Sequence, residues 1–510
     1  MNKPDDRPVL VVGAGPVGLT AAAELARRGI PVRLVDKAAE AGPLTKALMV
    51  WPRTLEVFRG LGASAYIDKH GLPVHSFSYN SGTKPICDIV FGDLTRPMVI
   101  IQPEVEELLR EALEAAGGQV AWRTELTRIS QDGDGVLATL RGPDGEESTE
   151  EFSYVIGGDG ASSTVRKALG VEFKGATYPN LFILADTAIE GELRRDSVHY
   201  YCTENGIMVL VPLYNGRFRV FTAASPGMKP EDLTREVLQD YVDKRGPGGL
   251  RLHDVSWQTT FSIHARHAER FRAGRVFLAG DAAHIHSPAG GQGLNTGVTD
   301  AHNLAWKLAL VHRAAASPAL LDSYGSERAA VAQAVVRQAE VQTKAWMLDK
   351  RWKIMFRDVS SRLAERTGVF DRFYSPWLAG LTNHYPAGPA VDEETGGRLR
   401  RPGYRNGRLL ADAEVRASLP IDRYTLLVTS PSGEIPARIA ELEAAYRGLI
   451  SVRAARGRRF SAVLVRPDHY VAAQDTSAGL DRIRRHLAAF GIPAEGGSQK
   501  NELVEKGRMS

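Results

Sequence analysis

Apolar residues recur with two different periods in this chain, and one stretch contains both a strand pattern and a helix pattern. The apolar run at 276–279 is typical of a buried strand. Gly280 and Asp281 follow, and then a loop rich in glycine, alanine, serine and histidine that ends at Gly293. Beyond the loop, apolar residues return at helical spacing, at Leu294, Val298, Ala301, Ala305 and Leu308. A strand, an acidic residue, a glycine-rich loop and a helix N-terminus together predict a site for a large polar ligand.

The first 36 residues predict a dinucleotide-binding βαβ unit. A short β-branched run, Val9–Val12, leads directly into Gly13-Ala14-Gly15-Pro16-Val17-Gly18. A helical pattern follows over 19–28, then a second strand, Val32–Val35, which ends at Asp36. In such a unit Gly13 makes the tight turn, Gly15 lets a pyrophosphate approach the backbone, and Gly18 lets the helix pack on the sheet. Asp36 stands where an acidic residue binds a ribose hydroxyl.

Further along the chain the pattern predicts three more regions. A Gln102-Pro103 start leads into a strongly amphipathic helix, and a strand at 154–156 leads into a second acidic-glycine turn at Asp159-Gly160. The segment 175–272 reads mainly as strands of an antiparallel sheet. After a linker rich in proline, glycine and charge, strands alternate with helices, which predicts a separate small α/β domain.

Composition narrows the class of protein. A length of 510 residues predicts two or three domains. The 64 basic and 60 acidic residues leave a net charge of 64 − 60 = +4, spread along the chain, which argues against a nucleic-acid partner. The two cysteines, Cys87 and Cys202, are too few for a disulfide framework, and no apolar stretch reaches membrane-spanning length. Without a signal-peptide pattern at the N-terminus, we expect a cytoplasmic protein with no membrane partner.

Common protein nucleophile and metal motifs are missing from the sequence. It contains no G-x-S-x-G, no H-E-x-x-H and no C-x-x-C. The pairs His284/His286 and His264/His267 lack further ligands at metal spacing, so we interpret all four histidines as local hydrogen-bonding residues and expect no metal. The chemistry is therefore expected to come from a bound cofactor.

Four motifs in this order resemble the single-component flavoprotein aromatic hydroxylases, the para-hydroxybenzoate hydroxylase and phenol hydroxylase group. They are GAGPVGLTAAAELARRG, VIIQPEVEELL, GGDGASSTVRKALGVEFKG and GRVFLAGDAAHIHSPAGGQGLNTGVTDAHNLAWKL, and they span about 9–345. The C-terminal part, with LVRPDHYVA, is similar to the thioredoxin-like extension of the phenol hydroxylase branch. It has no cysteine, so we expect packing or oligomerisation there rather than thiol chemistry.

The resemblance implies an α/β fold with a Rossmann-like FAD-binding domain, an inserted antiparallel-sheet substrate domain and the thioredoxin-like α/β domain. We expect the FAD-binding domain at 1–73, 103–174 and 273–390, the substrate domain at 74–102 and 175–272, and the C-terminal domain at 391–510. We expect a monomer or a homodimer.

The resemblance also assigns roles to residues. FAD would be bound by Gly13, Gly15, Gly18, Asp36, Gln102, Asp159, Gly160 and Asp281. The backbone of Pro288, Gly293, Leu294 and Asn295 would lie at the reacting edge of the flavin. NADPH or NADH would reduce FAD, O2 would give a C4a-hydroperoxide, and an electron-rich ring would attack it. Lys46 is a further candidate for FAD contact, at a position where the family usually has an arginine. Lysine keeps the charge but loses the bidentate geometry.

The substrate is expected between the antiparallel sheet and the flavin loop, and we predict a phenolic or polycyclic aromatic compound, polyketide types included. Alternation along the strands suggests one lining face, with further candidates nearby: His199, Tyr201, Met208, Leu210, Pro212, Arg217, Arg219 and Trp257. Ordinary sheet packing accounts for these residues equally well. Candidates for a base that activates a phenol are His199, His264 and Tyr201.

Other functions stay open on the sequence. The same fold supports Baeyer–Villiger or epoxidising oxygenation, and a non-catalytic flavin- or ligand-binding protein is a different class. A flavin halogenase is disfavoured because the W-x-W-x-I-P motif is absent. The choice between NADH and NADPH cannot be predicted, because there is no second G-x-G-x-x-G.

Overall fold

The computed structural model describes residues 5–42, 47–204, 206–214, 216–225, 227–348, 350–393, 404–477 and 479–491, with the backbone alone at 178–180. Lys46 and the segment 394–403 of the predicted linker lie outside these residues.

A six-stranded sheet forms the centre of the half that contains the first glycine motif. Its strands run in the order Arg272–Ala273, Val276–Leu278, Tyr154–Gly157, Val9–Val12, Val32–Val35 and Val120–Ala121. Neighbours are parallel except at the Arg272–Ala273 edge. Because Val12 lies opposite both Val35 and Gly157, the acidic-glycine turns after these strands meet at one edge of the sheet.

Two helices pack together against this sheet. Pro16–Ala26 begins within the first glycine motif, directly after Gly15, with proline in its first turn, and it contacts the helix Gly293–His312. Both helices are rich in small residues and mostly buried, which allows this close packing. The helix predicted after the glycine-rich loop 280–293 is therefore present and begins at Gly293.

An eight-stranded sheet forms the second half, as the alternation over 175–272 predicted. Its order is His284–Ile285, Arg251–Ala268, Phe173–Glu190, Phe218–Ala223, Gly206–Pro212, Ser197–Thr203, Ser76–Ser81 and Lys84–Val90. All neighbours are antiparallel except Ser197–Thr203 and Ser76–Ser81. The helix Arg235–Arg245 covers one face of this sheet.

Two three-stranded sheets and further helices complete the region before the C-terminal unit. The sheets are Glu147–Phe152, Val136–Arg141 and Glu125–Gln131, and Met49–Val50, Met98–Val99 and Leu72–Pro73. The helices are Pro52–Gly60, Ser64–His70, Gln102–Ala115, Thr164–Ala168, Asp322–Trp346, Arg351–Arg366 and Ser375–Leu378. Phe370–Tyr374 forms a π-helical turn, and 3₁₀ turns occur at Pro230–Asp232, Gly280–Ala282, Ala289–Gly291 and Pro318–Leu321.

The C-terminal unit is a four-stranded mixed sheet with three helices. The strand order is Ile450–Arg456, Tyr424–Ser430, Ser461–Val465 and Val471–Asp475, and the helices are Ala413–Ser418, Ala437–Ala445 and Asp481–Ala488. The first pair of strands is parallel and the other two pairs are antiparallel. The predicted α/β fold class is confirmed, and the predicted domain boundaries stay a prediction.

None of the described helices has both the length and the apolar composition that crossing a membrane requires.

Candidate active site

A cavity of about 800 Å³ joins the carboxyl edge of the six-stranded sheet to one face of the eight-stranded sheet. At one end its walls include Gly13, Gly15 and Asp36, and at the other end they include Phe221 and Phe261. The glycine motifs and the antiparallel sheet therefore contribute to a single continuous space.

The first glycine motif has the geometry that a dinucleotide needs. Gly13 has φ +98°, and a Cβ there would lie 2.6 Å from the carbonyl oxygen of Gly158. A Cβ at Gly18 would lie 1.8 Å from the carbonyl oxygen of Gly13, so both positions require glycine for packing. The space in front of Gly15 is open, with no atom within 4 Å of a Cβ built there. An open approach at the middle glycine is what a pyrophosphate requires.

Asp36 lies at the end of its strand, where hydrogen bonds from the backbone hold it. Its Oδ2 accepts from the amide of Ala14 at 2.7 Å, and its Oδ1 accepts from the amide of Ala38 at 2.8 Å. The carboxylate therefore ties the glycine turn to the second strand. Each oxygen keeps a second lone pair with which to accept from a ribose hydroxyl.

Gln102, Asp159, Gly160 and Asp281 line the middle of the same cavity. The amide of Gln102 donates to Glu106 Oε1 at 2.9 Å, and its oxygen lies 3.4 Å from the amide of Ala47. Asp159 Oδ2 accepts from the amides of Thr164 and Val165 at 2.7 and 3.1 Å.

The other oxygen of Asp159 supports a bound ligand. Asp159 Oδ1 is buried without a hydrogen-bond partner among the described residues. A buried acceptor without a partner is costly, so it is expected to be satisfied by a ligand donor. Together with the open cradle at Gly15, this fits FAD at the predicted residues.

The helix Gly293–His312 directs its N-terminus at the cavity. Pro288, Gly293 and Leu294 line the cavity. The first backbone hydrogen bond of the helix runs from the amide of Thr296 to the carbonyl of Gln292 at 2.9 Å. The amides of Gly293, Leu294 and Asn295 precede that bond, so they are the N-terminal donors that favour negative charge.

The side chain of Asn295 has a structural role that the sequence did not reveal. Its Oδ1 accepts from the amide of Trp51 at 2.8 Å, and its Nδ2 donates to the carbonyls of Met49 and Gly291, both at 2.8 Å. The side chain therefore fixes the loop and the Met49–Val50 strand, while the predicted role concerns its backbone.

A buried ion cluster supports the loop from behind. Asp300, fully buried, accepts from the amide of Gly280 at 3.0 Å, from His284 Nε2 at 2.7 Å and from Arg328 Nε at 2.6 Å. Burial alone would raise the pKa of Asp300, but Arg328 and His284 hold it below its ordinary value. The carboxylate stays charged and fixes the residue that precedes Asp281.

The structure corrects the predicted substrate face. The strand residues that line the cavity include Leu184, Val198, Tyr200, Val209, Val211 and Phe221. Tyr201, Met208 and Leu210 point to the other face, where they pack with Leu238 and Tyr241 of the covering helix. The alternation was recognised correctly, but a period of two does not show which face meets which neighbour.

The neighbouring candidates also lie away from the cavity. His199 is paired with Leu210 across the strands and its Nε2 lies 2.8 Å from the carbonyl of Arg194. Pro212 alternates with Val211, so it shares the face of Leu210. Arg217 forms an ion pair with Asp254 at 2.6 Å.

Two of the suggested residues do reach the cavity. Arg219 lines it and donates from Nε and Nη2 to the carboxylate of Asp186, both at 2.7 Å, with Trp257 packed against the guanidinium. His264 also lines it, and its Nδ1 lies 2.8 Å from Thr177 Oγ1. Of the three candidate bases, His264 alone faces this cavity, because Tyr201 and His199 lie on the other face of the sheet.

His286 is a cavity residue that sequence reasoning treated only as a loop histidine. Its Nδ1 lies 2.7 Å from the carbonyl of Ser287, so this nitrogen carries the proton. Its Nε2 is buried without a partner among the described residues, and the ring lines the cavity beside Gly293. Burial lowers the pKa of His286 to about 4, so the ring is neutral near neutral pH and Nε2 is an acceptor. Its position two residues before Pro288 was the available sequence clue.

The remaining walls are aromatic and apolar, including Phe77, Tyr200, Phe221, Phe261 and Trp346. Phe182 and Phe221 stack at 5.3 Å between ring centroids, and Phe221 contacts Phe261 at 6.3 Å. Among the residues that the structure describes, no group of three histidine, cysteine, aspartate or glutamate side chains could hold a metal ion.

Comparison with known proteins agrees with this geometry. The family model described as "FAD binding domain" matches residues 6–339. Pentachlorophenol 4-monooxygenase of Sphingobium chlorophenolicum is 31% identical over 94% of this chain and 95% of its own length. The 6-methylpretetramide 4-monooxygenase of Streptomyces rimosus is 31% identical over 96% of this chain and 95% of its own.

A solved structure extends the similarity to the whole fold. The OxyS anhydrotetracycline hydroxylase of Streptomyces rimosus superimposes with a TM-score of 0.72 at 28% identity, covering 96% of this chain and 100% of that one. Family match, relatives and fold lead to the same conclusion: this chain belongs to the FAD binding domain family and is an FAD-dependent aromatic monooxygenase.

Proposed function

We propose that this monooxygenase hydroxylates an uncharged phenolic or polycyclic aromatic substrate, with NADPH or NADH as the reductant and O2 as the oxygen source. The observation that carries this proposal is the continuous cavity, whose cofactor cradle opens directly into a chamber with aromatic walls. Bound FAD, once reduced, would supply the oxygen-transfer chemistry, as the family implies.

The chain would hold FAD through the residues that line the cradle. Gly13 and Gly15 admit the pyrophosphate, Asp36 accepts from the ribose, and Asp159 and Asp281 border the path between the two ends. The amides of Gly293, Leu294 and Asn295 would stabilise negative charge at the flavin edge, because the helix dipole favours anions there. Pro288 would border the same edge.

An uncharged ring is favoured because the cation in the chamber is already paired. Arg219 donates two hydrogen bonds to Asp186, so its charge is compensated before a substrate enters. The other lysine or arginine among the described lining residues, Lys37, follows Asp36 at the cofactor end. A carboxylate in the chamber would lose its hydration without gaining a new cation partner, which is costly.

A hydroxyl on the substrate is favoured by His286. Its Nε2 is a buried acceptor on the cavity wall near Gly293 and lacks a partner among the described residues. A phenol that donates to this nitrogen would satisfy it and would place the hydroxyl-bearing ring beside the flavin edge. Since the pKa of His286 is about 4, the ring orients the phenol as a neutral acceptor rather than removing its proton outright.

Two of the relatives act on molecules of the proposed kind. One is a monooxygenase of pentachlorophenol and the other a monooxygenase of 6-methylpretetramide. By analogy with these two relatives, we propose that a substituted phenol or a fused-ring phenol fits this chamber.

The proposal is tested with holoenzyme, each nicotinamide cofactor and ¹⁸O2. The panel contains a simple phenol, a fused-ring phenol, the O-methyl ether of each, and the matching benzoic acid. We expect one ¹⁸O atom in the phenolic products, a new ring hydroxyl by NMR, and little turnover of the acid. Absence of ¹⁸O from every phenol would refute hydroxylation, and a lactone or epoxide product would establish one of the alternative oxygenations instead.

A further inference from the structure

The helix Arg351–Arg366 presents its large apolar side chains to solvent. Trp352 is 64% exposed, Met355 65%, Phe356 72%, Val359 57% and Leu363 61%. An ordinary surface helix buries its apolar stripe against the core and exposes its polar side. This helix is arranged in the opposite way.

The polar side of the helix attaches it to the protein. Arg357 donates to Ser81 Oγ at 3.4 Å and to the carbonyl of Ala345 at 3.3 Å. Arg362 donates to the carbonyl of Pro85 at 3.2 Å, and Glu365 accepts from the amide of Asp88 at 2.9 Å. The helix therefore lies along the outer strand Lys84–Val90 with its polar groups already in use.

The exposed residues form a seam with the spacing of a helix–helix interface. Trp352, Phe356, Val359 and Leu363 follow one another at intervals of four, three and four residues, which are the a and d positions of a heptad. With Met355, the exposed apolar area is about 600 Å² from typical side-chain sizes, at the upper end for a monomer and near the roughly 800 Å² per partner of a standard interface.

The seam is self-complementary under a two-fold axis. An axis between Arg357 and Asp358 pairs Trp352 with Leu363 of the partner subunit and Phe356 with Val359 of the partner subunit, because 352 + 363 equals 356 + 359. The same register sets Lys353 beside Arg362 of the partner subunit, a like-charge pair on each side of the seam, but Arg362 already donates to the carbonyl of Pro85.

We propose that the seam Trp352, Met355, Phe356, Val359 and Leu363 is the contact with a second copy of this chain, packed helix against helix. A lipid surface fits less well. Interfacial helices set basic residues toward the headgroups beside a broad apolar face. Here Arg357 and Arg362 are bound to the outer strand, and the apolar face is a narrow seam.

The first test measures the mass of the FAD-loaded protein in solution over a concentration series. We expect a dimer for the natural sequence and a monomer for the double variant Phe356→Glu/Val359→Glu, with FAD content and circular dichroism unchanged. Leu137→Glu is the matched control, because Leu137 is an exposed apolar residue on another sheet, 39% exposed, and should leave the dimer intact.

The second test checks the register by cysteine cross-linking. Both native cysteines are buried, so a new surface cysteine reacts alone. We expect Trp352→Cys/Leu363→Cys to form a covalent dimer under mild oxidation, and Trp352→Cys alone to form little.

Several results would overturn the proposal. They are a monomer at every concentration, a dimer that persists in Phe356→Glu/Val359→Glu, or equal cross-linking by the single and double cysteine variants. Co-sedimentation of a monomeric protein with vesicles of anionic phospholipid would assign the seam to a lipid surface instead.

Discussion

The two surroundings of the helix Gly293–His312 differ in what their buried polar groups face. At its N-terminus the cavity has apolar walls, and two buried acceptors, His286 Nε2 and Asp159 Oδ1, lack partners among the described residues. Along its other side the helix carries Asp300, Asn303 and Lys307 into clusters of buried charges that bind one another. The unpaired acceptors of the first region border open space for a ligand. The charges of the second region are paired with one another, although Asn303 Oδ1 is buried there without a partner among the described residues.

The second region contains a four-charge cluster that joins the C-terminal unit to the cofactor-binding half. Arg466 donates to both oxygens of Glu327 at 2.7 and 2.8 Å and to Asp468 at 2.6 Å, and Lys307 donates to Glu327 at 2.8 Å. All four side chains are at most 2% exposed. Burial alone would raise the pKa of Glu327, but Arg466 and Lys307 hold it below its ordinary value. The C-terminal unit is thus a structural part of the enzyme, in agreement with its lack of cysteine.

The largest expected effect comes from breaking this cluster. Arg466→Ala leaves Glu327 and Asp468 buried with one cation fewer, so we expect a loss of about 3–5 kcal/mol in the free energy of unfolding. The measurement is urea unfolding of the FAD-loaded protein, followed by circular dichroism.

The matched control for Arg466 is Arg141→Ala. Arg141 also pairs with two carboxylates, those of Glu125 and Glu147, but its side chain is 46% exposed. We expect a change within about 1 kcal/mol there, because exposed ion pairs contribute little. Equal losses in the two variants would contradict the conclusion that burial makes the ion pairs of Arg466 important for stability.

The next effect separates cofactor retention from turnover within the cavity. Asp281→Ala should weaken FAD binding by about tenfold or more, because a carboxylate acceptor on the cavity wall is lost. Gly293→Val should retain FAD affinity within about threefold, because a Cβ at Gly293 lies 4.0 Å from its nearest neighbour, His286 Cε1, and meets no clash. It should lower turnover by about tenfold, because the added side chain enters the cavity at the flavin edge. FAD affinity comes from titration of the apoprotein, and turnover from NAD(P)H consumption with a phenol. Full FAD occupancy and unchanged turnover in both variants would refute the assigned roles.

The sequence was most informative where backbone conformation determines function. Gly13 and Gly18 could be assigned because a tight turn and a close approach admit no other residue, and the structure shows both contacts. The cofactor half, the antiparallel sheet and the C-terminal α/β unit followed from periodicity and from the family motifs.

The sequence was least informative where tertiary contacts decide. Tyr201 and Tyr200 are adjacent and equally aromatic, and only the position of the helix Arg235–Arg245 determines which of them meets the cavity. One partner of Arg466, Asp468, is two residues away, but the other, Glu327, lies 139 residues away, beyond any local pattern. The predicted boundaries and the role of Lys46 are still predictions.

A smaller effect is expected from removing the unpaired acceptor in the chamber. His286→Phe should reduce the preference for a phenol over its O-methyl ether from about tenfold to within about threefold, because the nitrogen that accepts the hydroxyl is gone. The preference is measured as a ratio of dissociation constants, from the change in flavin absorbance on titration, and as a ratio of kcat/KM.

His264→Phe is the comparison for His286. His264 also lines the chamber, but its Nδ1 is already within hydrogen-bond distance of Thr177. We expect this variant to keep most of the preference for the phenol. Loss of the preference in His264→Phe but not in His286→Phe would show that the substrate hydroxyl contacts His264 and not His286.

The last comparison concerns pH and sets a buried histidine of the C-terminal unit beside the chamber histidine. Burial lowers the pKa of His486 to about 4, with Asp392 opposing the shift and Arg466 adding to it. Near pH 7 His486 is neutral in both folded and unfolded chains. Between about pH 6.5 and 4 the unfolded chain takes up a proton that the folded chain refuses, so stability is lost as the pH falls. His486→Leu should therefore reduce the slope of unfolding free energy against pH in this window by up to about 1.4 kcal/mol per pH unit.

Burial lowers the pKa of His286 to about 4 as well, so His286→Phe should flatten the same slope. The two variants should differ once a phenol is added. A phenol that donates to His286 Nε2 competes with the proton there, so the natural protein and His486→Leu gain stability from the phenol, whereas His286→Phe gains less. Equal gains in all three proteins would remove His286 from the substrate site and leave it a packing residue like His486.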